Sequence, residues 1–253
     1  MNDRNPVSSQ VPPPLSAPPR LPHVPPLSIL YLLAWTTATA AVLLVLTRWL
    51  RFGGDTPLGI GLCALTATAF GWVYFGGLLI LWHAVRRTLW PLEPGEWLIL
   101  VAINVLTVGI GLALAESLPR GPLGSSYQTI LEWAAKLSPA EFAAVSIVAA
   151  VSQRQRRVWS ALFWTLVLQW LSAYFLFAAS AWLDLGLFAF LKVLSTLIGG
   201  FATVLSILLL CAVITDWRRR QPRHWLHTSA AILFGLWLAC MLAWAGMAFA
   251  NWP

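Results

Sequence analysis

Six long apolar stretches dominate this sequence and limit what the chain can fold into. Lys192 is the only Asp, Glu, Lys or Arg within any of them. Each stretch supplies the roughly 20 residues that an α-helix needs to cross about 30 Å of hydrocarbon at about 1.5 Å per residue. We therefore predict six membrane-spanning helices. They cover residues 28–47, 58–82, 97–115, 160–183, 187–215 and 225–250.

The composition favours a membrane protein over a soluble one. Charged residues make up 10% of the 253 residues, whereas a soluble domain carries about 25%. The chain is also rich in tryptophan, with 16 residues, and many of them lie at the ends of the apolar stretches. Indole rings prefer the headgroup region of a bilayer. The predicted fold class is an all-α, polytopic transmembrane helix bundle.

The N-terminal residues differ from the rest of the chain. Residues 1–26 are rich in proline, which blocks helix interiors and favours extended conformations. We expect a disordered tail over 1–26, followed by a transmembrane helical domain over 27–253. The first apolar stretch is longer than the 7–15 residues of a signal-peptide core, so we predict that it is an uncleaved helix.

The segment between the third stretch and the stretch starting near Ser160 is less apolar. An apolar stripe over 127–137 predicts a short interfacial helix. Ser138 and Glu141 then form a capping-box pattern around Pro139, which predicts a second short helix over 139–152. About ten apolar residues give roughly 15 Å of helix, half a bilayer. This helix is therefore interfacial, re-entrant or a short seventh crossing, and both six and seven spans stay open.

The positive charges do not decide between these two arrangements. Of the 16 Lys and Arg, Lys192 lies inside a span. Seven spans with the N-terminus inside, and six with it outside, each place eleven of the others in the cytoplasm and four outside. Both arrangements predict a cytoplasmic loop at 216–223 and an external C-terminus, in a cell membrane of the bacterial inner-membrane kind. The proline-rich tail favours seven spans, because it has no signal to export it.

Histidines at the ends of the stretches form a candidate metal site. His224 and His227 are three residues apart on one helical face, a spacing that places two imidazoles on one metal ion. In the seven-span arrangement His83 lies on the same side of the membrane. Metal-binding histidines usually occur with carboxylate or Cys ligands, and Asp216 is the only such residue nearby in sequence. The alternative is that these are interfacial residues without a metal.

Arginines flank these histidines and form a candidate site for an anionic lipid headgroup. Guanidinium groups pair with phosphate through charge-assisted hydrogen bonds. The alternative is that they act only as positive-inside topology signals. The candidates are Arg86, Arg87, Arg218, Arg219, Arg220 and Arg223.

Small and polar residues inside the stretches predict contacts between helices. Ser195, Gly199 and Thr203 form a small-xxx-small row, which favours close approach of two helices. Asn104 and Gln169 lie in the middle of their stretches, and we expect each to hydrogen-bond a neighbouring helix.

The sequence contains no recognisable catalytic or cofactor motif, and its basic residues do not form the pattern of a nucleic-acid site. Our leading hypothesis is a non-catalytic scaffold or subunit of a membrane assembly. Its partners are the lipid bilayer and other membrane subunits or further copies of the chain. One alternative is a membrane enzyme, or an anionic-lipid or metal-binding protein, that uses the candidate histidines and arginines described above at the cytoplasmic ends of the spans. Another is a passive channel for a small neutral solute.

Overall fold

The computed structural model describes residues 29–48, 57–85, 92–117, 122–183, 187–219 and 225–251. Within them the chain forms seven α-helices and no strand, which confirms the all-α prediction. The predicted tail over 1–26 lies outside the described residues. The helices are α1 (Ile29–Arg48), α2 (Pro57–Val85), α3 (Pro94–Ser117), α4 (Pro122–Ser152), α5 (Arg157–Leu183), α6 (Leu187–Arg218) and α7 (Trp225–Asn251).

Proline marks the start of three helices. Pro57, Pro94 and Pro122 are the first residues of α2, α3 and α4. Proline suits this position because its fixed φ is helical and its missing N–H has no intrahelical acceptor there. The boundaries of these helices are therefore set locally by the sequence.

Among the residues that the structure describes, five helices are long and apolar enough to cross a membrane. These segments are Ile29–Thr47, Cys63–Trp82, Arg157–Ala179, Lys192–Arg218 and Trp225–Ala243. Shorter apolar segments lie in α3, at Pro94–Gly109, and in α4, at Leu137–Ser152.

Helix α4 differs from the expected pair of short helices. It is continuous from Pro122 to Ser152, and Pro139 lies inside it. Proline removes one backbone hydrogen bond from a helix interior, but packing against neighbouring helices makes this tolerable in a membrane protein. Helix α4 packs along both α3 and α5. The capping-box pattern at Ser138 therefore lies within a helix and does not begin one.

Helices α3 to α7 form a closed ring. Each packs on the next, and α7 returns to contact α3. The main core contains Trp159, Phe163, Leu205 and Leu238, which are at most 2% exposed. Helix α2 packs on α3, and α1 joins the bundle mainly through α2. A second apolar cluster lies between α1 and α2 and consists of Val42, Leu46, Cys63 and Ala67.

The outer surface of the bundle exposes many large apolar side chains. Leu168, Leu210 and Ile232 are large side chains that are each more than half exposed. A soluble protein rarely exposes continuous apolar surface, whereas hydrocarbon surrounds a membrane bundle without penalty. The fold is therefore a helical membrane bundle.

Successive helices of the ring run in opposite directions, so each end of the bundle holds the starts of some helices and the ends of others. At one end, hydrogen bonds join the starts of α3, α5 and α7 to the ends of α4 and α6. We call this end of the bundle the polar end. It contains residues 92–97, 150–160, 212–219 and 225–227.

Candidate functional site

Two glutamates cap the start of α3: Glu93 directly precedes the helix, and Glu96 lies in its first turn. The Glu93 carbonyl oxygen accepts hydrogen bonds from the backbone N–H of Glu96, at 3.0 Å, and of Trp97, at 3.3 Å. In return, Glu96 Oε2 accepts a hydrogen bond from the Glu93 backbone N–H at 2.7 Å. A Glu three residues after the cap, bonded back to the N–H of the capping residue, is half of a capping box. This turn is therefore rigid.

Helix α7 lies directly against this turn at His227. The Gly95 backbone N–H donates a buried hydrogen bond of 2.9 Å to His227 Nδ1. A Cβ at Gly95 would lie 2.6 Å from both the Cα and the carbonyl oxygen of His227, so the approach requires glycine. Because Nδ1 accepts, the proton of the neutral imidazole lies on Nε2. His227 is thereby oriented as a donor at Nε2.

Asp216 of α6 accepts a hydrogen bond from α5 and lies close to His227 of α7. The Trp159 indole N–H donates to Asp216 Oδ2 at 3.0 Å, and His227 Nε2 lies 3.5 Å from the same oxygen. The indole also packs edge-on against the imidazole, with ring centroids 5.3 Å apart at 68°. Two aromatic side chains therefore fix the position of the Asp216 carboxylate.

Side-chain hydrogen bonds hold the turn between α4 and α5 against the segment before α3 and against the end of α4. The Gln153 side-chain amide donates to the Leu92 carbonyl oxygen, just before α3, at 2.9 Å, and this bond is buried. The Ser160 hydroxyl donates to the Ala150 carbonyl oxygen at 3.0 Å. Within the turn, the Arg156 N–H donates to the Gln153 carbonyl oxygen at 2.8 Å. This network fixes the place where α5 begins.

A cavity of about 350 Å³ lies between this turn and the end of α6. Arg156 and Arg157 line it from the start of α5, and Arg219 lines it from the end of α6. Asp216 is the one acidic residue among the described residues that line it, so three Arg and one Asp give a formal charge of +2. We call it the basic cavity. Its other lining residues are Gln155, Val158, Trp159, Ala212 and Thr215.

Glu96 has an altered proton affinity. It precedes the apolar run that begins at Trp97, and its side chain is 1% exposed. Burial raises the pKa of the Glu96 carboxyl from its usual 4.5 to about 7, because water no longer solvates the charged form. The hydrogen bond from the Glu93 N–H opposes this shift, and the nearby Glu93 carboxylate adds to it. The pKa of Glu96 therefore lies near neutral pH.

The predicted metal ligands are only partly described. His227 is buried next to Asp216. Its Nδ1 also lies 4.0 Å from Glu93 Oε2. Among the described residues, no group of three or more His, Cys, Asp and Glu could hold a metal ion. The side chain of His83 and all of His224 lie outside the described residues, so the three-histidine metal site stays a prediction.

Of the six predicted lipid-binding arginines, the structure describes two, and one of these lines the basic cavity. Arg219 lines the basic cavity, whereas Arg218 is exposed and is not among its lining residues. The remaining four lie outside the described residues. They are Arg86, Arg87, Arg220 and Arg223.

The small-xxx-small row of α6 lies partly against α7. Ser195 is buried, and a Cβ at Gly199 would lie 3.1 Å from the Cβ of Ala245 in α7. Thr203 is exposed, and its hydroxyl donates to the Gly199 carbonyl oxygen of its own helix at 2.8 Å.

The two mid-span amides are both half-buried. Asn104 lies in α3 and Gln169 in α5. In the described part of the chain, Gln169 Oε1 has no hydrogen-bond partner. The structure therefore gives no interhelical bond to that oxygen.

Sequence reasoning missed most of the polar end. It did not single out Glu93, Glu96 or Gln153, and it treated Arg156 and Arg157 only as topology signals. The pattern Glu93-Pro94-Gly95-Glu96 carried a usable signal, because a Pro at the first helical position between two carboxylates is typical of a helix start. That the turn lies against His227 follows only from the packing of α3 on α7.

Comparison with known proteins adds no relative. No family model, curated protein or solved structure matches the chain. The function of the chain therefore has to be inferred from the chemistry of the polar end.

Proposed function

We propose that this multi-pass membrane protein binds the phosphate group of a membrane phospholipid in the basic cavity, in a non-catalytic role. The observation that carries the proposal is the convergence of Arg156, Arg157 and Arg219 on one cavity. Each guanidinium offers a planar fork of N–H donors that matches two phosphate oxygens. Three such groups around one space are typical of phosphate recognition.

The start of α5 adds to the attraction for an anion. Arg157, Val158 and Trp159 form the first turn of this 27-residue helix, and all three line the basic cavity. The first N–H groups of a helix have no intrahelical acceptor, and the helix dipole is positive there. Phosphate groups commonly bind at such helix starts.

The position of the basic cavity along the helices supports a lipid as the ligand. One apolar segment begins at Arg157 and another ends at Arg218, so the cavity lies where two spans meet the headgroup region. Val158 and Ala212 give it apolar lining beside the arginines. A phospholipid presents its phosphate at this depth, with its acyl chains against the apolar helix surface.

We infer that the polar end faces the cytoplasm of a cell membrane of the bacterial inner-membrane kind. Arginines at 154, 156, 157, 218 and 219 gather at this end, and positive charge favours the cytoplasmic side. The seven helices that the described residues form support seven spans, with the loop at 216–223 cytoplasmic and the C-terminus outside.

Lipid binding is compatible with the scaffold or subunit hypothesis, because bound lipids often lie between membrane helices and their partners. The exposed apolar faces of α5 and α6 flank the basic cavity, with Leu168 and Ile207 more than half exposed. A homo-oligomer or a membrane subunit is therefore the expected partner. The channel hypothesis stays a prediction.

Binding of a short-chain phosphatidylglycerol to the purified full-length protein in detergent tests the proposal. We expect Arg219→Gln to weaken binding about tenfold, since a hydrogen bond to a charged group contributes about 1.5 kcal/mol or more. Titration calorimetry measures the change. Diacylglycerol, which lacks the phosphate, should not bind in this cavity.

Arg218→Gln is the matched control, because it removes the same charge one residue away from the cavity lining. Arg154→Gln serves in the same way for Arg156→Gln, since Arg154 is exposed and does not line the cavity. The proposal fails if the cavity variants and their controls bind phosphatidylglycerol equally.

A further inference from the structure

One carboxylate lies within the basic cavity. Asp216 lines it together with three arginines. Its Oδ2 accepts the Trp159 indole N–H at 3.0 Å and lies 3.5 Å from His227 Nε2. Both of these groups are buried, so they fix the carboxylate from the protein side of the cavity wall.

A fixed carboxylate is unfavourable in a site for phosphate alone. Two like charges repel, and the repulsion grows where water is excluded. The carboxylate contributes favourably when the ligand carries a positive group beside its phosphate, because the two opposite charges then attract.

The lining also distinguishes between kinds of cationic headgroup. A quaternary ammonium has no N–H donor and is usually bound by a cage of aromatic faces. Trp159 is the sole aromatic among the described residues that line the basic cavity, and its N–H is already used by Asp216. A primary ammonium has three N–H donors, which suit the carboxylate of Asp216 and the hydroxyl of Thr215.

We infer that the basic cavity selects phospholipids of the ethanolamine class, with the arginines on the phosphate and Asp216 on the primary ammonium. This inference rests on the proposed phosphate-binding function and adds a specificity-determining residue to it. Asp216, the start of α5 and Arg219 all line the same space of about 350 Å³. The phosphate and the ammonium of one headgroup therefore bind side by side within it.

Binding of short-chain phosphatidylethanolamine, phosphatidylglycerol and phosphatidylcholine to the full-length protein in one detergent tests this selectivity. We expect wild type to bind the ethanolamine lipid about tenfold more tightly than the other two, the effect of one charge-assisted hydrogen bond. Asp216→Asn should remove this preference by weakening the ethanolamine lipid and strengthening phosphatidylglycerol. Asparagine keeps an oxygen that can accept the Trp159 N–H, which favours folding of the variant.

Glu141→Gln is the control for overall charge, since Glu141 is exposed on α4 and lies outside the cavity lining. It should keep the wild-type preference. If Asp216→Asn does not fold, the ratio of the three affinities in wild type still tests the inference without any variant.

The outcomes separate the inference from the function on which it rests. Equal binding of the ethanolamine and glycerol lipids, with both weakened by Arg219→Gln, overturns the selectivity and leaves phosphate binding in place. No effect of Arg219→Gln on any lipid overturns both. If inorganic phosphate or O-phosphoethanolamine competes for the cavity as strongly as the lipid does, the ligand is a free phosphate compound and the proposal of a lipid ligand is wrong. A tenfold preference that Asp216→Asn removes supports the inference.

Discussion

The contact between Gly95 and His227 makes a sharp prediction for stability. An added Cβ at Gly95 would lie 2.6 Å from His227 Cα and 2.6 Å from its carbonyl oxygen. Both are backbone atoms of α7, so no rotation of a side chain relieves the overlap. Gly95→Ala must therefore push α3 and α7 apart and lengthen the 2.9 Å hydrogen bond from the Gly95 N–H to His227 Nδ1.

The expected loss combines two effects. Overpacking in a tight interior costs about 1–3 kcal/mol, and loss of a buried hydrogen bond costs about 1 kcal/mol. We expect about 3 kcal/mol in total, which lowers the apparent Tm by about 6–12 °C for a chain of this size. A thermal shift assay on the detergent-solubilised protein, at one fixed heating rate, measures this change.

Gly109→Ala provides the matched control within the same helix. No atom lies within 4 Å of a Cβ at Gly109. Alanine is the better helix former by about 1 kcal/mol, so this variant should be as stable as wild type or slightly more stable. If Gly95→Ala melts no lower than Gly109→Ala, α3 and α7 do not approach closely enough at Gly95 to exclude a methyl group, and His227 is not held by the first turn of α3.

Two further predictions concern pH and topology. Burial raises the pKa of Glu96 to about 7 from its usual 4.5, so folding favours the protonated form. This contribution to stability is full below pH 4.5 and is lost as the pH rises through 7. The apparent Tm of wild type should therefore fall between pH 5.5 and 8.5 more than that of Glu96→Gln; parallel curves would show that Glu96 does not titrate there. Thr88→Cys should resist a membrane-impermeant maleimide in intact cells and react after lysis, as seven spans require. Labelling of intact cells would instead place residue 88 outside. Cys63, Cys211 and Cys240 lie within the apolar segments and should contribute little background.

The helical bundle was predictable because hydrocarbon imposes a simple requirement. A spanning helix must hide its backbone polar groups over about 20 apolar residues, and such stretches are visible without knowledge of their neighbours. The same logic failed at α4. Pro139 and the adjacent Ser138 indicate a helix start in water, whereas packing of α4 between α3 and α5 keeps the helix continuous through the proline.

The candidate site was much less predictable, because its residues come from four separate segments of the chain. Asp216 and His227 are close in sequence, but their link to Trp159 and Gly95 depends on how α3 and α5 pack against α6 and α7. The sequence interpretation placed His227 at the end of an apolar run, as a candidate metal ligand or an interfacial residue. In the structure it is 4% exposed, and Gly95, the second residue of α3, lets the backbone of α3 reach the imidazole.

At the polar end, Asp216 lines the basic cavity and the buried His227 lies next to it. The cavity lies between the start of α5 and the end of α6, but His227, whose Nε2 lies 3.5 Å from Asp216, belongs to α7. The position of α7 is fixed in turn by the rigid first turn of α3 through Gly95. The position of the Asp216 carboxylate therefore depends on the packing of α7 against α3 as well as on α5. Trp159, which contacts both Asp216 and His227, lies at the start of α5, where the phosphate is expected to bind.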